Sequence, residues 1–234
     1  MRQARPTART PISPTEVERV EAFCAINADI RQDIAAGAVR MHFLKKQHII
    51  EQDEASADVY FSISGRVRVR YAAMSGRDLT YQILGPGQLF GELSAIDGQR
   101  RSASVIAEDD AVLGKIDPKT FRALLARHPE FALAMLSRLA ALSRWLAEKV
   151  FEYHAYNVKG RICCELLRLA KTAGSGEFEV TDRDMSSRVG TTRENANRII
   201  AEIRDTGSVM RDGSMIRVTD EHNLRSLLVH CEIG

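Results

Sequence analysis

No run of about 18 apolar residues occurs in the chain, so no segment reads as a membrane-spanning helix. Met1 to Pro14 carry Arg2, Arg5 and Arg9 among Pro6, Pro11 and Pro14, with no apolar stretch between them. That excludes a secretory signal and leaves a flexible tail or a basic arm. Cysteine is scarce. Cys24, Cys163, Cys164 and Cys231 make no C-x-x-C pair, which suits reduced thiols in a cytoplasmic protein, with a redox-sensing thiol as the alternative. The six histidines form no H-x-H, H-x-x-x-H or H-E-x-x-H, so no metal site is expected. An excess of one charge is also lacking. Lys+Arg number 33 and Asp+Glu 31, so any basic surface must be local.

What is present suggests an α+β chain in two parts. Val17, Val20 and Phe23 recur at helical spacing within residues 15–38. From Val39 to Ile116 the texture is short β-type runs. Val59 to Ile63 and Val67 to Tyr71 flank a turn at Ser64-Gly65-Arg66. Further turns fall at Ser75-Gly76, Gly85-Pro86-Gly87 and Asp97-Gly98, and Ser104–Ile106 and Ala111–Leu113 close the region. Such spacing suggests an antiparallel barrel or jelly roll. After His128-Pro129 no Gly or Pro interrupts the chain until Gly160. Met135, Leu139, Leu142, Leu146, Val150 and Tyr153 recur there at near-heptad spacing. The stripe fits dimerisation, or packing against the chain's own barrel. A hinge is expected near Tyr156-Asn157-Val158. The division is then a tail (1–14), a β-roll domain (15–128), a long helix with hinge (129–156) and a second domain (157–234).

Thr181 to Arg204 reads as two helices joined by Gly190, the helix-turn-helix pattern. Thr181-Asp182-Arg183-Asp184 and Thr191-Thr192-Arg193-Glu194 each give a hydroxyl with an acid three residues on, a start signal. Ala196, Ile199, Ile200 and Ile203 face inward in the second helix. Arg193, Glu194, Asn195, Asn197 and Arg198 remain for base edges in a major groove. Thr181, Arg183, Arg188 and Thr192 suit phosphates of double-stranded DNA. The alternative is a plain surface helix in which Glu194 caps and pairs with Arg198. Val209–Arg211 and Met215–Val218 around Asp212-Gly213 predict a hairpin, either a wing carrying Arg211 and Arg217 or a simple cap.

Residues 84–105 read L-G-P-G-Q-L-F-G-E-L-S-A-I-D-G-Q-R-R-S-A-S-V. Alone, they are a glycine-rich turn region with a weak anion-site signal. F-G-E-L followed by R-S-A resembles the phosphate-binding cassette of cyclic-nucleotide-binding domains. V-G-T-T-R-E-N-A-N-R-I-I resembles the recognition unit of the cyclic-AMP receptor protein family. The resemblance spans roughly residues 20–220, with both motifs in the family's order. It implies a β-roll nucleotide domain, a dimerisation helix and a winged helix-turn-helix. Glu92 would accept from a ribose 2′-hydroxyl, and Arg101 would neutralise a cyclic phosphate. Ser102 and amides near Gly91, Leu93 and Ala103 would hold its oxygens. Arg193, Glu194 and Arg198 would read a TGTGA-like half-site, the homodimer would bind an inverted repeat, and RNA polymerase would be a partner.

Two features depart from the family pattern. Alignment through Glu148-Lys149-Val150 and Gly160-Arg161-Ile162 puts Leu146-Ala147 where cyclic-AMP-responsive members carry a Thr-Ser pair that contacts adenine. Ser143 and Arg144, one turn earlier, are the substitutes. Cyclic AMP is the first expected effector and cyclic GMP the second. The cassette is also one residue shorter between Glu92 and Arg101 than the family pattern, a change a loop absorbs. The chain lacks the clustered N-terminal cysteines an iron–sulfur cluster needs, and His42 or His48 alone is a thin basis for haem. A metal-dependent oxygenase would need the missing H-x-H. A nucleotide-binding regulatory subunit without DNA activity, or a member with a vestigial ligand site, completes the alternatives. No enzymatic activity is expected.

Overall fold

The structure is a computed structural model that describes residues 11–23, 26–72 and 78–233. Cys24, the Ser75-Gly76 turn and the arginines of the first ten residues lie outside the described residues. The chain divides into two compact units, Met1–Ala141 and Leu142–Gly234, and the division falls inside the long helix.

The first unit opens on α1 (Pro14–Glu18). The Glu16 amide donates to the Ser13 hydroxyl at 3.3 Å, and the Ser13 amide donates to the Glu16 carboxylate at 2.9 Å. This reciprocal cap satisfies donors the first turn leaves open. Ile12, placed within the expected tail, is buried. There follow α2 (Ala28–Gly37), β1 (Ala38–Phe43), β2 (His48–Ile50), β3 (Val59–Ser64), β4 (Val67–Ala72), β5 (Asp78–Leu84), β6 (Leu89–Phe90), α3 (Glu92–Asp97), β7 (Ser104–Ala107), β8 (Ala111–Ile116), α4 (Pro118–Arg127) and α5 (Pro129–Ala155). Two four-stranded antiparallel sheets, ordered β1-β8-β3-β6 and β2-β7-β4-β5, make the expected β-roll.

β3 is buried on both faces. Val59 and Phe61 join the helical core with Phe23, Ile34, Phe121 and Phe131. Tyr60 packs inside the roll with Phe43, Leu84 and Phe90. Phe61 faces Gly114 of β8 in register, and a Cβ there would stand 2.1 Å from the Phe61 ring. Glycine is what lets the ring lie against β8. The glycine-rich stretch expected as turns instead contains α3, bracketed by Gly91 and Gly98 at φ of 82° and 71°.

On α5, Met135 belongs to the roll's core and not to an exposed seam. Leu139 and Leu142 are half-buried, whereas Leu133, Leu136, Leu146, Val150 and Phe151 are exposed. Among the described residues, no helix is long and apolar enough to cross a membrane.

The second unit takes the rest of α5, then α6 (Val158–Ala173), β9 (Glu177–Glu179), α7 (Asp182–Val189), α8 (Arg193–Asp205), β10 (Val209–Asp212), β11 (Met215–Val218) and α9 (Glu221–Val229). The expected hairpin forms, with Asp212 opposite Met215, and β9 extends it to a sheet ordered β10-β11-β9. Ile162, Leu166, Met185, Ile199, Ile200, Ile216 and Leu224 share one core. Tyr153, expected on the seam, works inside this unit. The Arg161 guanidinium lies 4.7 Å from its ring centroid, and its hydroxyl occupies the space beside Gly190.

Candidate functional site

The β-roll holds its charged cassette between β6 and β7. Gly91 adopts φ 82°, and a Cβ there would stand 2.9 Å from the Asp58 carbonyl oxygen and 3.0 Å from Arg101 Nη1. Only glycine fits this approach. Glu92, the first residue of α3, is 4% exposed and Arg101 2%. Arg101 donates from Nε to Ser56 Oγ at 2.9 Å, from Nη1 to Gly91 O at 2.8 Å and from Nη2 to Asp58 O at 2.7 Å. A guanidinium has five N–H donors, so these bonds fix its plane and leave two for an anion. Burial pulls its pKa down, opposed by Tyr60, Asp58, Glu54 and Glu92. Burial, with Asp58 adding to it, pushes the nearby Tyr60 up to about 12, so that phenol stays neutral. Ser102 and Leu93 are exposed beside the buried pair, and Ala103 is buried. A buried cation with spare donors, a bare glycine and an exposed hydroxyl fit a phosphodiester.

Sequence reasoning missed Arg138. Its Nη2 donates to the Leu89 carbonyl, and its Nε lies 3.5 Å from Glu92 Oε1. That second contact is a charge contact longer than a hydrogen bond. The available signal was spacing: Met135 and Arg138 are three apart, hence on one helical face. Ser143, Arg144, Leu146 and Ala147 are exposed on the later turns of α5.

In the second unit, Thr181 caps α7 and accepts from the Asp184 amide at 3.1 Å. α8 begins one residue later than expected. Gly190 ends α7 in the left-handed region, and the Thr191 amide donates back to Ser186 O at 3.0 Å. Thr191 is thus spent in closing α7, a C-terminal capping pattern, and Thr192 caps α8 by accepting from the Asn195 amide. Glu194 therefore is not the capping acid. It also does not pair with Arg198, which bonds Asn195 Oδ1 at 2.8 Å and Glu202. Arg193, Glu194, Asn197 and Arg198 all lie exposed near the start of α8, above the buried Ala196, Ile199 and Ile200. Asn197 Nδ2 donates to Asp182 Oδ2 at 2.8 Å, while Nδ2 of the half-buried Asn195 donates to Thr191 Oγ1 at 2.8 Å. Arg183 is exposed and forms no ion pair among the described residues.

Two arginines expected at phosphates are engaged by carboxylates of the same unit. Arg188 is turned inward, with Nη1 2.9 Å from Glu165 Oε1. Glu165 is 3% exposed and also receives Lys149 Nζ at 2.8 Å and Arg168. Burial works to raise the Glu165 carboxyl, but Lys149, Arg188 and Arg168 outweigh it and hold it low. Arg211 pairs with Asp182 at 2.7 Å and bonds Gly213 O at 2.9 Å, so it braces the hairpin against α7. Burial pushes the Cys163 thiol up to about 12 and Cys164 to about 11, which opposes thiolate chemistry at both. Among the described residues, no cluster of His, Cys, Asp or Glu could hold a metal ion.

Known proteins match both halves. A cyclic nucleotide-binding domain family matches residues 40–128, and a Crp-like helix-turn-helix domain family matches residues 160–227. The cAMP-activated global transcriptional regulator CRP of Salmonella typhimurium is 30% identical, over 74% of this chain and 86% of that protein. The CRP-like cAMP-activated global transcriptional regulator of Mycobacterium tuberculosis is 26% identical, over 78% of this chain and 84% of that protein. Among solved structures, a CooA mutant from Carboxydothermus hydrogenoformans superposes with a TM-score of 0.75 at 19% identity, covering 94% of this chain and 98% of that one.

Proposed function

The chain belongs to the Crp/FNR family of DNA-binding transcription regulators and carries a cyclic nucleotide-binding domain, and from that premise we propose that it is a cyclic-AMP-switched homodimer. The observation that carries this reading is Arg101, buried with two uncommitted N–H groups beside Glu92 and Gly91. Arg101 would hold the cyclic phosphate together with Ser102 and amides near Gly91, Leu93 and Ala103. Glu92 would take the ribose 2′-hydroxyl while sharing its charge with Arg138. Occupancy of the cassette would then be felt by α5 directly. The exposed Leu136, Leu146, Val150 and Phe151 supply a face for a second copy.

In the dimer, Arg193, Glu194 and Arg198 read each TGTGA-like half of an inverted repeat. Thr181, Thr192 and Arg183 meet the phosphates. Arg can pair with guanine and Glu with a cytosine amino group. The effector must favour the DNA-competent state, or no switching follows. The protein acts by binding and not by catalysis, in the cytoplasm, with RNA polymerase as its partner on DNA. Leu146 and Ala147 offer no hydroxyl to adenine, and that favours cyclic GMP as the second reading.

Isothermal calorimetry tests the assignment. Cyclic AMP should bind the intact chain, linear AMP should bind far more weakly, and Arg101→Leu should abolish the heat of binding while the fold persists by circular dichroism. Unchanged affinity in the folded variant refutes it.

A further inference from the structure

α5 and α6 meet at Tyr156-Asn157, where the sequence suggests a hinge. Every main-chain polar group from the Ala155 carbonyl to the Asn157 amide is nonetheless engaged. The Tyr156 amide donates to Glu152 O at 3.0 Å. Tyr156 O accepts from Arg161 Nη1 at 3.2 Å, and Arg161 Nε reaches Val189 O, at the end of α7, at 3.1 Å. The other two partners come from the segment after α9. The Ile233 amide donates to Ala155 O at 2.8 Å, and the Asn157 amide donates to Cys231 O at 2.9 Å. Tyr156 and Glu232 form the antiparallel bridge between these bonds. Cys231 is buried while His230, Glu232 and Ile233 beside it are exposed. It docks over Gly160, where a Cβ would stand 2.8 Å from the Cys231 Cβ.

We propose that Cys231–Ile233 is a strap that locks the joint between α5 and α6. The end of α5 and the DNA reader then move as a single body, and switching motion is excluded from Tyr156-Asn157. A hinge must change φ and ψ. Here that change would break two strap bonds and expose the Cys231 thiol.

Ile233→Pro in the full chain removes one strap donor, since proline has no N–H. Ile233→Ala keeps the donor and loses a side chain that is 53% exposed, so it is the control. Amide exchange at Asn157 should quicken by roughly fivefold in the proline variant, the loss of one net hydrogen bond, and stay unchanged in the alanine variant. Labelling of Cys231 by Ellman's reagent should rise with it. Equal exchange and equal labelling in the two variants overturn the strap. A third readout rests on the dimeric DNA-binding reading. Ile233→Pro should weaken binding to a duplex with two half-sites and spare a duplex with one. Equal loss on both duplexes indicates damage to the reader itself and also overturns the strap. If the alanine control binds neither duplex, the DNA reading fails and amide exchange still decides the strap.

Discussion

Glu165→Gln should destabilise the second unit more than any surface substitution in it. The carboxylate is 3% exposed and sits among Lys149 at 2.8 Å, Arg188 at 2.9 Å and Arg168. Glutamine keeps the shape and removes the charge, leaving three cations to Glu152 alone, which already holds Lys149 at 3.2 Å and Arg168. Removing one partner of a buried ion pair costs about 3–5 kcal/mol. The three cations keep 13–24% side-chain exposure, so water relieves part of the imbalance. That puts the loss near the low end, about 3 kcal/mol. At about 4–8 °C per kcal/mol, the melting point of this unit should fall by about 12 °C or more. Thermal denaturation followed by far-ultraviolet circular dichroism measures the shift, and urea denaturation measures the free-energy loss. The pH dependence has a definite sign. The folded Glu165 carboxyl lies below its unfolded value of about 4.3, so its contribution is present above that pH and fades as pH falls through the folded pKa. The variant should show a flatter acid limb. A loss under about 1 kcal/mol, or an unchanged acid limb, refutes the account of this network.

Three further outcomes follow from single positions. Gly114→Ala forces a Cβ against the fully buried Phe61 ring and should lower stability by about 1–3 kcal/mol, read by thermal denaturation of the β-roll. Glu194→Ala, at an exposed carboxylate free of capping duty, should relax preference at one cytosine position by about 1–3 kcal/mol, and binding-site selection from random duplexes would expose a failure. Arg188→Ala should act through stability and leave the salt dependence of DNA binding unchanged. A shallower salt slope in filter-binding titrations would restore Arg188 as a phosphate contact.

Where a residue's role is set by its neighbours in the chain, the sequence foreshadowed the structure. The β-type run Val59–Ile63 marked β3, and Thr181 with Asp184 marked the start of α7. Arg193 and Arg198 stand exposed because Ala196, Ile199 and Ile200 take the opposite face. What stayed hidden depends on packing between distant segments. Lys149, Glu165 and Arg188 come from three helices, and nothing in any one helix announces their meeting. Arg211 pairs with Asp182 of α7, a partner that nothing in its own hairpin announces. The slip from Thr191 to Thr192 arose because two adjacent hydroxyls fit the same cap, and the closing bond to Ser186 chose between them. In the cassette, Gly91 and Gly98 punctuate so short a stretch that α3 left no periodicity to detect.

In the proposed function, a ligand held by Arg101 controls the grip of α8 on DNA. Fluorescence anisotropy of an inverted-repeat TGTGA duplex, titrated with the full chain, with and without saturating cyclic AMP or cyclic GMP, tests it most directly. One nucleotide should tighten binding at least tenfold, and Arg101→Leu should abolish that gain while keeping the basal affinity. Identical curves under all three conditions would contradict it.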